Sequence, residues 1–297
     1  MPTNTQHAQH TAAGLGRIGI WSAAVRYSPA AAGIAAAVEL EELGFPTLWI
    51  PGGADSGVLA ALDQLLDATT SIRFATGILN IWKHEPAEVV AWWRGQSPER
   101  QSRLLLGLGV SHGPLIGEAY QRPLAKMRAF LDGLDAAGMP RKHLCLAALG
   151  PRMLELAAAR TAGAHPYLVS PRHTAFARQA LGPDALLAPE QGVILETDPV
   201  KAREMARQTV KLYAAMPNYY NNWRRDGFSD VEIDGLSDRF IDSVMAWGDL
   251  DAIAARVAEH FAAGANHVCL QVIRGGLGRD VAEERPGWRE LARLLGG

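Results

Sequence analysis

Three stretches carry side chains whose types and spacing suit chemistry on a bound organic ring. In Phe74-Ala75-Thr76-Gly77-Ile78-Leu79-Asn80 a short apolar strand narrows at Thr76 and Gly77, and Asn80, Trp82 and His84 stand where it ends. An interior strand glycine marks a bulge, a bend or a close approach to the backbone, and a flat ligand would approach in that way. A strand that simply frays at Asn80 is the plainer reading. In Leu106-Gly107-Leu108-Gly109-Val110-Ser111-His112 a second strand ends in small residues and an imidazole. His112 could there donate or accept a proton near neutral pH, or merely cap local backbone. Its Gly-x-Gly is not a dinucleotide fingerprint. The third glycine comes one place late, Pro114 interrupts the expected helix, and no acidic residue closes a second strand.

The third stretch is a pair. Leu149-Gly150-Pro151-Arg152 and Ser170-Pro171-Arg172-His173 both read as a strand, a turn and a proline-initiated helix. Free N–H groups and the positive end of the helix dipole suit a phosphate there, with an arginine adding fixed charge. One such end occurs commonly without a ligand; two in succession point to a phosphate site.

The elements that must hold these residues alternate along the chain. Strands are expected at 18–21, 47–50, 72–79, 104–108, 144–148, 164–169, 192–195 and 267–272, with helical stretches between them. Trp21 and Ser22 end the first strand and Pro51-Gly52-Gly53 follows the second. Eight such units in 297 residues fit a (β/α)8 TIM barrel better than an open doubly wound sheet. Residues 1–15 read as a disordered tail and 16–297 as a single barrel domain. A lid-like insertion at about 216–248, between strands 7 and 8, breaks the rhythm.

Composition narrows the function. A net charge of −2 and a pI near 6.5 give no general attraction to nucleic acid or an anionic membrane. Cys145 and Cys269 each lie in an apolar run and read as core residues. No apolar run is long enough to span a membrane and the first residues lack a signal-peptide core, so a cytoplasmic protein is expected. Metal-ligand spacing, a nucleophile elbow and a Walker-type loop are all missing from the sequence.

Taken in order, Ala75-Thr76-Gly77-Ile78-Leu79-Asn80, Leu106 to His112, Ala148-Leu149-Gly150-Pro151-Arg152-Met153, Trp247-Gly248-Asp249 and Ala263 to Val268 resemble the luciferase-like monooxygenase superfamily. Within it the chain looks like the branch that uses the deazaflavin coenzyme F420. The resemblance covers about Arg17 to Val272. It implies a barrel, usually homodimeric, with the cofactor ring across the strand ends and a non-prolyl cis peptide at Gly77-Ile78. By the same resemblance Gly77 and Ile78 bulge behind the ring and Gly109, Val110 and Ser111 lie beside it; Trp21, Thr76 and Asn80, at the same strand ends, are also expected to bind the cofactor. Gly150, Pro151, Arg152 and Ser170 serve its phosphate side, and His112 falls where sugar-phosphate dehydrogenases of the family carry a proton-donating glutamate. Those dehydrogenases also have an acidic residue and a histidine after the second strand, where this chain has Pro51-Gly52-Gly53. The implied reaction is therefore hydride transfer from reduced F420 to an activated double bond, imine or carbonyl of a small molecule. An FMN-dependent monooxygenase and a non-catalytic flavin or deazaflavin carrier are the alternatives. An acidic cofactor tail would meet Arg122, Lys126, Arg172, Arg224 and Arg225.

Overall fold

Aliphatic and β-branched runs that are buried on both faces make parallel strands, because helices cover the outside and side chains fill the inside. The computed structural model describes residues 14–53, 55–276 and 280–296. Its strands are β1 (Ile18–Trp21), β2 (Thr47–Ile50), β3 (Arg73–Thr76), β4 (Leu79–Asn80), β5 (Leu104–Gly109), β6 (Leu144–Leu146), β7 (Gly163–Ala164), β8 (Leu186–Leu187), β9 (Glu190–Ile194), β10 (Met245–Trp247) and β11 (Val268–Val272). All pair in parallel, in the order β10-β9-β11-β1-β2-β3-β5-β6-β7-β8, with β4 on β5. Leu186 to Ile194 closes the barrel: Leu186 pairs with Gly163 of β7, and Glu190 with Cys269 of β11. With β3 and β4 as one interrupted stave and β8 and β9 as another, the eight-stave (β/α)8 barrel follows.

Two expected strands are redrawn. The run 72–79 breaks at Gly77-Ile78, whose peptide bond is cis, and resumes as β4. The sixth strand keeps only Gly163–Ala164; Leu168, at φ 55°, turns the chain away, and its expected residues Tyr167 and Leu168 belong to the barrel mouth.

The lumen is filled by Trp21, Trp49, Ala75, Leu105, Cys145 and Cys269, with Leu15 at its base. Residues 1–13 lie outside the described residues, but the expected tail boundary moves. Leu15 is buried, its carbonyl accepts from Thr47 Oγ1 at 2.7 Å, and Gly14 O accepts from Arg73 at 2.6 Å. Both cysteines are free and buried. His165 stacks on Trp49 and donates from Nδ1 to Ala188 O at 2.7 Å, and burial pushes its imidazole down to about 4. No helix among the described residues is long and apolar enough to cross a membrane.

The insertion folds into three helices, Pro217–Arg225, Asp230–Asp234 and Asp238–Val244, before β10 adds to the sheet on β9. Ser229 and Glu232 form a reciprocal capping box, and Ser237 accepts from Phe240 N at 3.3 Å. Trp223, Ile233, Phe240 and Ile241 give this segment its own buried core, continuous with Ile194 and Leu168.

Candidate active site

The strand ends meet around the Gly77-Ile78 bulge. Gly52 N donates to Ile78 O at 2.9 Å, and a side chain at Gly52 would collide with that carbonyl. A Cβ on Gly109 would lie 2.5 Å from Ile78 Cγ1, and one on Gly77 would strike Trp21 Nε1. The glycines of this region therefore make room for neighbouring protein atoms. Thr76 is buried with its hydroxyl on Gly107 O at 2.8 Å. Asn80 is likewise committed to its own turn, accepting from Trp82 N at 3.0 Å and reaching Gly53 O at 3.4 Å. Trp82 in turn donates from Nε1 to Val110 O at 2.7 Å, and Ser111 beyond it takes a left-handed conformation, φ 55°. The backbone from Gly109 to Ser111 is thus fixed from two sides.

His112 follows, half-buried. Its Nδ1 donates to Asn218 Oδ1 of the Pro217–Arg225 helix at 3.1 Å, which leaves the Nε2 lone pair outward in the neutral ring. Burial holds the imidazole below its ordinary value of 6.5, and the Asn218 hydrogen bond opposes that shift. The His112 ring lies 5.4 Å from Tyr219, Tyr219 lies 5.1 Å from Tyr213 and 6.3 Å from Tyr167, and Tyr167 lies 5.4 Å from Trp21. A row of rings crosses the barrel mouth from β5 to β1. Asn218, Tyr219 and Tyr213 come from the seventh unit and its insertion, and only the stretch of aromatic and amide residues from 218 to 223 hinted at them.

The two proline-initiated helices, Pro151–Arg160 and Pro171–Leu181, diverge in their surroundings. Gly150 offers no side-chain cap, the atom nearest to a Cβ built on it is Arg225 NH2 at 3.8 Å, and Arg152 is exposed. Arg225 reaches only Leu149 O and Asn222 Oδ1 and forms no ion pair among the described residues. Ser170, by contrast, caps its own helix by accepting from His173 N at 3.1 Å, and its hydroxyl donates to the buried Asp226 carboxylate. Arg172 sits 3.8 Å from the same carboxylate. The expected pair of phosphate sites thus becomes one open helix end at Gly150, Pro151 and Arg152, and one closed by an acid at Ser170. Of the five cations expected to meet an acidic cofactor tail, Arg224 is also neutralised, by Asp230 at 2.6 Å, while Lys126 lies over the Trp82 ring at 5.5 Å.

After β2, Pro51 O and Gly52 O both accept from the Arg26 guanidinium, which also pairs with Asp55. That loop presents a tethered backbone to the mouth.

No protein-family model and no curated protein sequence matches the chain. In three dimensions it is similar to coenzyme F420-dependent tetrahydromethanopterin reductase from Methanopyrus kandleri, with TM-score 0.73, 16% identity and coverage of 94% of this chain and 99% of that one. An F420-dependent secondary alcohol dehydrogenase in complex with an F420–acetone adduct gives TM-score 0.68 at 16% identity, over 94% and 97% of the two chains. The oxygenating constituent of 3,6-diketocamphane monooxygenase from Pseudomonas putida, in complex with FMN, gives 0.64 at 14%, over 94% and 96%. At such identities the likeness is one of architecture: the chain has the same (β/α)8 barrel fold as these F420-dependent enzymes and this monooxygenase.

Proposed function

We propose that the chain is an F420-dependent oxidoreductase that reduces an activated double bond, imine or carbonyl of a small organic molecule. The observation that carries the cofactor reading is the open helix end at Gly150, with Arg225 beside it and paired with no carboxylate among the described residues. An anion held by first-turn amides and a guanidinium suits the phosphate of a flavin or deazaflavin. A deazaflavin supplies hydride when bound in its reduced form. The protein's own part is to fix the backbone at Gly109 to Ser111, to cover the mouth with Tyr219, and to hold a proton at His112 Nε2 when that ring is charged.

The β2 loop supports the reductive direction. Arg26 ties down Pro51 and Gly52, where a base for alcohol oxidation would otherwise stand. His112 gives a signed prediction. Its proton-donating form is populated only below a pKa that burial has lowered, so kcat/KM for reduction of a carbonyl or alkene should rise as pH falls through and below 6.5. His112→Ala should flatten that profile and lower its acidic limb by about a hundredfold.

The deciding measurement is a parallel fluorescence titration with F420 and FMN. Tight binding of F420 alone supports the reductase. Preference for FMN favours a monooxygenase, and binding of neither by folded protein removes the cofactor reading. Binding of F420 without turnover of any substrate would mark a carrier.

A further inference from the structure

Near Tyr219, Tyr213 and Tyr167 lies a buried polar group that the reaction above does not use. Glu190 of β9 is 1% exposed, and its hydrogen-bond partner is Leu168 N, which donates to Oε2 at 2.9 Å. Around it, Tyr213 OH donates to Tyr167 OH at 3.1 Å, and Tyr167 OH to Gln271 Oε1 of β11 at 2.8 Å. The titratable groups facing Glu190 are Tyr167, Tyr213, Tyr219 and the Cys269 thiol, and its charge would raise the pKa of each. Among the described residues it forms no ion pair with a lysine, arginine or histidine. Burial pushes the carboxyl up to about 8, with the Leu168 amide opposing.

A buried carboxyl without a cation keeps its proton, since an unpaired charge there is costly, and ionises when a cation is brought beside it. Here the surroundings supply hydroxyl groups and tyrosine rings, which attract cations through their faces, but the cation itself is absent from the protein. We infer that Glu190, Tyr167, Tyr213 and Tyr219 form a recognition pocket for a cationic substrate, an organic ammonium or iminium, with Glu190 as its counter-ion. As a statement about the substrate, this rests on the reductase reading. An iminium also suits that chemistry: hydride adds to carbon, the C=N π pair becomes the nitrogen lone pair, and the product is a neutral amine with no proton required at carbon. Tyr219 packs against Tyr213 and Tyr167, and Glu190 is closed off from solvent, so a cation reaches it only when part of this aromatic layer moves aside. Burial favours the protonated carboxyl of Glu190, and a cation arriving beside it would expel that proton.

The test uses the full chain without cofactor. Calorimetric titrations with pyrrolidinium and with its neutral analogue cyclopentanol are run near neutral pH, in two buffers of different ionisation heat. Wild type should bind pyrrolidinium at least about tenfold more tightly than cyclopentanol and release most of one proton on doing so. Glu190→Gln should lose both the preference and the proton release while still binding cyclopentanol. No preference in folded wild type overturns the inference, whether or not the variant folds; so does an unchanged preference in folded Glu190→Gln. If F420 binds and pyrrolidinium does not, the recognition pocket fails and the reductase reading stands. If pyrrolidinium binds as expected and F420 does not, the reductase reading fails and the cation pocket stands.

Discussion

Gly150-Pro151-Arg152 and Ser170-Pro171-Arg172 start adjacent helices from nearly the same backbone geometry, φ −97°, ψ 159° at Gly150 and φ −83°, ψ 164° at Ser170. Yet one end is open beside a cation and the other is sealed by a carboxylate. The difference lies in two consecutive residues of the insertion: Arg225 serves the first end and Asp226 the second. A helix terminus has a fixed dipole, but whether it is available to an anion depends on what the tertiary fold lays across it.

That contrast can be broken from either side. The largest effect is expected for Arg225→Glu, which would give the open end the acid that the closed end has. Affinity for the phosphate-bearing cofactor should fall by about a hundredfold in a fluorescence titration. Asp226→Asn does the converse, keeping an acceptor for Ser170 while removing the charge. Phosphate-bearing ligands should bind several-fold more tightly, by roughly three- to tenfold, and added salt should erase the gain. The smallest change in binding belongs to Ser170→Ala, at about twofold or less. Its cost appears in stability, about 1–3 kcal/mol, because a helix loses its cap and Asp226 its hydroxyl donor. A thermal melt shifted down by a few degrees would report it, and a large loss of cofactor affinity would return Ser170 to the phosphate site.

What was legible in the sequence was whatever a few consecutive residues decide. Ile18–Trp21 and Thr47–Ile50 form strands as their apolar runs predict, Asp198 caps the Pro199–Ala214 helix, and the glycine at 77 marks a real interruption. The partners that decide the site come from far away along the chain. Ser170 and Asp226 are 56 residues apart, His112 and Asn218 106, and Tyr167 and Gln271 104. No local pattern encodes such pairings. β8, two residues set between Pro183 and Pro189, was too short to show a period. Glu190-Gln191 did leave a trace, as two polar residues beside the apolar run that continues β9, but only the closed barrel reveals that the glutamate is buried without a counter-charge among the described residues.

The pairing of β10 with β9 has a consequence for how this protein can be cut or rebuilt. On one edge, the closing stave from Leu186 to Ile194 is matched first by β7 and then, from Gly192 to Ile194, by Met245–Trp247. A shortened protein lacking residues 217–247 would leave the end of β9 with an unpaired row of amides and carbonyls, beside the apolar side chains of Ile194 and Ile273 that the insertion now covers. Bare strand edges of this kind recruit other chains. The insertion therefore also serves as an edge guard, and the minimal barrel without it should self-associate and precipitate rather than persist as a smaller enzyme.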